Sequence, residues 1–101
     1  VHVTDLCDAH TRSLDYLLND APSAIFNLGN GSGFSVLDVI RAAERVTGRS
    51  VRYTVTAPRL GDPPVLVAEA QKARTVLGWA PHYTDLHEII STAWNWHNRK
   101  V

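Results

Sequence analysis

The 101 residues fit one small domain, and ten Lys+Arg against ten Asp+Glu leave no net charge to draw the surface to nucleic acid or an anionic membrane. Apolar content of 45% and charged content of 20% are ordinary for a folded globular chain, and no apolar run nears the roughly 20 residues of a membrane span. Cys7 is the only cysteine, which excludes an intrachain disulfide and points to a reducing compartment, the cytoplasm.

The opening His2-Val3 reads as the end of a strand, and the chain has no methionine, so the sequence is expected to be part of a longer one. It lacks the basic-then-apolar pattern of a secretory signal. Thr4 or Asp5 is placed to cap a first helix, with Leu6, Ala9, Leu14, Leu17 and Leu18 mostly on one face. Asn19-Asp20-Ala21-Pro22-Ser23 breaks that helix, because proline disfavours helical geometry in the residue before it. Residues 24–28, Ala-Ile-Phe-Asn-Leu, form a short apolar β-prone run and predict a strand.

Gly29-Asn30-Gly31-Ser32-Gly33 is a loop between that strand and a second helix. Such a context can bring backbone amides up to a phosphate. The third glycine comes too early for a dinucleotide fingerprint, however, and Phe34 stands where it belongs, so a tight connection is the favoured reading. Ser35 caps the second helix with Asp38 as the acidic partner of a capping box, Val36, Val39, Ile40, Ala43 and Val46 form its apolar stripe, and Gly48 stops it. Residues 51–56 alternate apolar and polar and predict a second strand.

Residues 57–64 carry three prolines and a glycine and form a stiff loop, and Val65-Leu66-Val67 reads as a brief extended segment. A short helix over about 70–77 ends at Gly78, and a last helix over about 85–97 places Leu86, Ile89, Ile90, Ala93, Trp94 and His97 at helical spacing. Two strands among four helices give a small α/β module, with too few strands for an independent sheet. No internal repeat or low-complexity segment interrupts it.

The five histidines share none of the short spacings of a metal site, and one cysteine adds no ligand cluster. Trp79, Trp94 and Trp96 are expected to supply core area. Serines and carboxylates fall at helix starts and turns, where capping accounts for them, so no catalytic constellation stands out. Arg59-Leu60-Gly61-Asp62-Pro63 is different. A guanidinium on a stiff loop suits bidentate phosphate recognition, and a carboxylate three residues on suits ribose hydroxyls. The same two side chains could equally form a surface ion pair.

Five segments in order, HVTDLCDAH, FNLGNGSGFSVLDVI, APRLGDPPVLVA, KARTVLGW and EIISTAWNWH, resemble the C-terminal part of UDP-glucose 4-epimerases, in the extended short-chain dehydrogenase/reductase family. The resemblance covers essentially the whole chain. It implies the substrate-binding part of a Rossmann-type α/β fold, with residues 1–101 as the C-terminal UDP-sugar-binding portion and the N-terminal NAD-binding domain absent. It also implies an NAD-dependent isomerase interconverting UDP-glucose and UDP-galactose through a 4-keto sugar. Carried over by motif, Arg59 would hold the pyrophosphate, Asp62 the uridine ribose, and Val36 would pack near the uracil. Leu66 matches the position whose size tunes tolerance at the sugar C2.

The family's Gly-rich NAD loop and Tyr-x-x-x-Lys pair have no counterpart here, and the second arginine that usually precedes the HV is missing too. No NAD site and no catalytic residue are therefore expected on these 101 residues, which alone should be inactive. Expected partners are a UDP-sugar and another copy of the chain as a homodimer, with no nucleic acid and no membrane. Two other readings stand beside this one. The chain could belong to a related sugar-nucleotide dehydratase or decarboxylase, or be a non-catalytic truncated module acting through self-association or partner binding.

Overall fold

A computed structural model describes residues 1–99. Its elements are α1 (Val3–Leu18), α2 (Val36–Thr47), α3 (Gln71–Leu77) and α4 (Leu86–His97). They fall into two compact units, one of Val1–Ser32 with Val67–Thr84, the other of Gly33–Leu66 with the residues from Asp85 onward.

In the first unit α1 packs on α3. Helix α1 is capped by neither Thr4 nor Asp5 but by His2, whose Nδ1 accepts from the Thr4 N–H at 3.0 Å. An unprotonated ring nitrogen is an acceptor like the Asn or Asp oxygens usual at this position. The helix stops after Leu18, where Asp20 takes a left-handed conformation (φ 59°), which aspartate tolerates better than most residues. Small residues let the helices approach: Ala9, Ala70 and Ala73 with Leu77 surround Trp79, which has no exposed surface, and Tyr16, Phe26 and Leu28 pack against them. Arg12 joins the helices, its Nε donating to Asp8 at 2.9 Å and its Nη1 to the Leu77 carbonyl at 3.3 Å, where a helix end leaves carbonyls unpaired. Gly78, left-handed at φ 64°, ends α3.

In the second unit α2 packs on α4. The sequence-predicted limits of α2 hold. Ser35 Oγ accepts from the Asp38 N–H at 3.0 Å, the Asp38 carboxylate accepts from the Ser35 N–H at 2.9 Å, and Gly48 closes the helix at φ 66°. Asp85 caps α4 by accepting from the His87 N–H. Among the described residues Ala42 is the buried apolar side chain of this unit, and Leu86, Ile89, Ile90 and Trp94 of α4 are half-buried. Arg49 lies over the Trp94 ring at 5.2 Å. Trp96 departs from the expectation of a core residue: it is 70% exposed, with Arg99 over its ring.

The four helices agree with the sequence reading, but the strands do not form. Among the described residues no segment is a β-strand, so the expected short strands of the α/β module are not seen and the described chain consists of four helices joined by extended segments. The physical reason is that β-propensity records fit to a pleated, paired surface. Residues 24–28 make no backbone hydrogen bond among the described residues, and the one bond at the start of 51–56 runs from the Val51 N–H to the Glu44 side chain.

Candidate functional site

The loop singled out in the sequence is a tight turn. The Asp62 N–H donates to the Arg59 carbonyl at 3.3 Å, and Gly61 at φ 85° occupies the third turn position, the pattern of a type II turn. Nothing lies within 4 Å of where a Gly61 Cβ would sit, so glycine is required there by its conformation and not by crowding. Closing the turn brings the flanking side chains together, and Arg59 Nε donates to Asp62 Oδ2 at 2.9 Å.

Both groups face solvent, with 86% of the Arg59 side chain exposed, so the ion pair adds at most about 1 kcal/mol to stability. The pair engages only one edge of the guanidinium. The Arg59 Nη groups donate to no protein acceptor among the described residues. A planar cation with its outer fork open, next to a carboxylate with lone pairs to spare, can receive a phosphate and a hydroxyl side by side.

Of the four predicted binding residues the structure joins these two. Val36, the first residue of α2, is 77% exposed, and Leu66 is 86% exposed. No hydrogen bond among the described residues connects either segment to the Arg59–Asp62 turn. A hollow of about 290 Å³ in the same unit is lined by Phe34, Arg41, Arg45 and His87 with others, and by none of the four. The predicted contact set is thus an open surface.

The first glycine of the Gly29–Gly33 loop is accounted for by packing. A Cβ on Gly29 would stand 2.8 Å from the Ala68 carbonyl oxygen, so this glycine admits the protein's own backbone rather than a phosphate. Gly31, at φ 83°, has the Arg74 guanidinium beside it. The described residues also bring together no group of three His, Cys, Asp or Glu able to hold a metal, and no described helix is long and apolar enough to cross a membrane.

Asp5 is the polar centre that sequence reading missed. Its carboxylate is 1% exposed and accepts from the backbone N–H groups of His82 (2.9 Å) and Tyr83 (2.9 Å), while its carbonyl accepts from Trp79 Nε1 at 2.8 Å. The His2 ring stacks on Tyr83 with centroids 4.0 Å apart. Together these contacts fasten the start of α1 to residues 79–83. The partners lie 74 to 78 residues away in sequence, so only the pairing of a buried acid with the following Trp79-x-x-His82-Tyr83 could have hinted at them. The Asp5 carboxylate accepts from backbone N–H groups and its carbonyl from the Trp79 indole, so its role is to hold the first unit together.

No family model matches the sequence. The chain is 50% identical, over 97 residues, to a UDP-glucose 4-epimerase of Lacticaseibacillus casei; that match covers 96% of this chain and 29% of the relative. A crystal structure of UDP-glucose 4-epimerase superposes with a TM-score of 0.87 at 46% identity, covering 96% of this chain and 30% of the other. The enzyme from Bifidobacterium longum, solved in complex with NAD+ and UDP, superposes with a TM-score of 0.81 at 34% identity, covering 96% of this chain and 28% of the other. This chain spans about 29% of the length of such relatives, and over that span it is homologous to them.

Proposed function

We propose, from the premise that these residues are homologous to part of the UDP-glucose 4-epimerases, that they form the UDP-sugar-binding portion of such an enzyme. Arg59 holds the pyrophosphate, Asp62 accepts from the ribose of uridine, Val36 lies against the uracil, and Leu66 borders the sugar. The observation that carries this reading is the type II turn that presents Arg59 with its Nη fork unengaged beside the Asp62 carboxylate. The exposure of Val36 and Leu66 agrees with apolar contacts completed by ligand or by further protein.

The whole enzyme interconverts UDP-glucose and UDP-galactose, with NAD supplying the oxidation and reduction at the sugar. Binding of that cofactor and the proton-transfer residues are assigned to the N-terminal part of an epimerase-length protein. What this chain contributes is binding energy on the nucleotide, which holds the sugar for reaction elsewhere. The 101 residues alone are inactive and bind UDP weakly.

The test is a graft in which this sequence replaces its matching residues in the L. casei enzyme, with UDP binding measured by calorimetry. Arg59→Ala lowers UDP affinity by roughly tenfold or more, and Arg59→Lys recovers part of it, since a lysine restores the charge without the fork. An unchanged affinity in Arg59→Ala overturns the assignment of the pyrophosphate site. Turnover by the purified 101-residue chain overturns the claim of inactivity.

A further inference from the structure

We infer a second anion site, for a small phosphomonoester, in the hollow where α2 meets the first turn of α4. Phe34, Ala42 and Leu86 give the hollow its apolar lining, and Arg41, Arg45 and His87 its basic lining. Arg41 and Arg45 stand four residues apart, so they share one face of α2. The next arginine of that row, Arg49, is engaged over the Trp94 ring at 5.2 Å. Arg41 and Arg45 are not engaged: among the described residues neither guanidinium donates a hydrogen bond or enters an ion pair. The two carboxylates in the lining serve their own helices instead. Asp38 accepts from the Ser35 N–H at 2.9 Å, and Asp85 accepts from the His87 N–H at 3.2 Å. Arg41 is felt at Asp38 only as a nearby charge.

The ligand class follows from charge and shape. Two guanidinium forks side by side suit a dianion with several oxygens, whereas a single carboxylate meets one fork only. A phosphomonoester carries a charge of about −1.5 to −2 near neutral pH and three acceptor oxygens. A bare phosphate has no use for Phe34 and Leu86, so the apolar lining calls for an organic body on the phosphate. The volume of about 290 Å³ limits that body to something small, at the lower end of small-molecule sites. None of Val36, Arg59, Asp62 and Leu66 lines the hollow, so the site is separate from the proposed nucleotide contacts.

The experiment titrates the isotope-labelled 101-residue chain with phenyl phosphate at constant ionic strength and follows arginine Nε–H and backbone amide shifts by NMR. Saturable shifts are expected at Arg41, Arg45, Leu86 and His87. Arg41→Gln and Arg45→Gln each weaken binding roughly tenfold or more, since each removes a charged hydrogen-bond donor. Arg59→Ala leaves the affinity unchanged. Inorganic phosphate binds roughly tenfold more weakly, because it leaves Phe34 and Leu86 uncovered. Phenol, which has the ring without the charge, gives no saturable shift. Both glutamine variants keep α2 intact, because arginine and glutamine are similar helix formers, and circular dichroism checks this.

Shifts that never saturate, or that persist unaltered in Arg41→Gln and Arg45→Gln, overturn the proposal. Equal affinity for inorganic phosphate overturns the organic body and with it the ligand class, and saturable binding of phenol overturns the role of the charge. Binding that disappears in Arg59→Ala places the phosphate at the Arg59–Asp62 turn and overturns the second site. The nucleotide reading is tested apart from this one. A graft whose UDP affinity falls in Arg59→Ala, in a chain that ignores phenyl phosphate, sinks the second site and spares the first, and the reverse result does the opposite.

Discussion

The two units are held by different kinds of interaction. In the first, the decisive contacts span long sequence separations: Asp5 reaches His82 and Tyr83, Trp79 reaches back to Asp5, and Arg12 reaches Leu77, at separations of 65 to 78 residues. Its core includes a tryptophan and a carboxylate with almost no exposure. In the second, the hydrogen bonds are local: Ser35 with Asp38, Glu44 with Val51, Arg59 with Asp62, Asp85 with His87. Among its described residues the one buried apolar side chain is Ala42, and all four proposed nucleotide contacts belong to this unit. The lesson is that the residues proposed to meet a ligand lie on the thinly cored unit. Side chains that must meet substrate are not free to bury themselves, and local caps and turns do the work that packing does elsewhere.

The sharpest way to break this comparison is to remove the Asp5 carboxylate. Asp5→Ala leaves the part-buried His82 and Tyr83 N–H groups without their acceptor. At about 1.5–3 kcal/mol for each hydrogen bond to a charged group, the expected loss is about 3 kcal/mol or more. Asp5→Asn keeps the volume but turns an NH2 toward one of the two donors, and falls between wild type and alanine. Denaturant unfolding followed by tryptophan fluorescence measures the loss, and hydrogen exchange locates it. The expected pattern is faster exchange in α1 and α3 with α2 unchanged. Equal losses in both units would mean that they unfold as one block and that the contrast in contacts has no energetic counterpart.

The same contrast explains what could be read from the sequence. The limits of α2, the Gly78 stop of α3 and the Asp85 start of α4 were legible because caps are local: Ser35, Asp38 and Gly48 carry their partners within a turn. The ion-pair geometry of Arg59 and Asp62 was one of two readings, and Gly61 between them fixes the turn that makes it possible. Asp5 was misread as a cap because its true partners lie at the far end of the chain. The strand expected at 24–28 is not seen, because pattern reports the preference of side chains whereas a strand exists only with another backbone beside it. Residue type alone marks Trp96 as core, and its helix turns it outward.

A smaller effect sharpens the second unit. Ser35→Ala removes the oxygen that accepts from the Asp38 N–H and should cost about 1 kcal/mol, as loss of an N-cap does. Hydrogen exchange should speed up in α2 and leave α1 unchanged.

The smallest expected effect is a pH dependence of the same cap. The Asp38 carboxyl is held below its usual range, first by the hydrogen bond from the Ser35 backbone, next by the Ser35 side chain, and with a minor contribution from the charge of Arg41; slight burial opposes them. In the unfolded chain this carboxyl titrates near pH 4. Because its folded value is the lower one, the unfolded state takes up the proton first as pH falls. The stabilisation is therefore fully present above about pH 4 and is lost as pH drops through the folded value below that. The group is exposed, so the change is small and reads best as a difference. Amide exchange in α2 should accelerate between pH 5 and pH 2 in the wild type beyond its intrinsic pH dependence, and that excess should vanish in Asp38→Asn. An identical excess in both proteins would place the pH sensitivity of α2 outside its cap, and local contacts would then not be what holds the second unit.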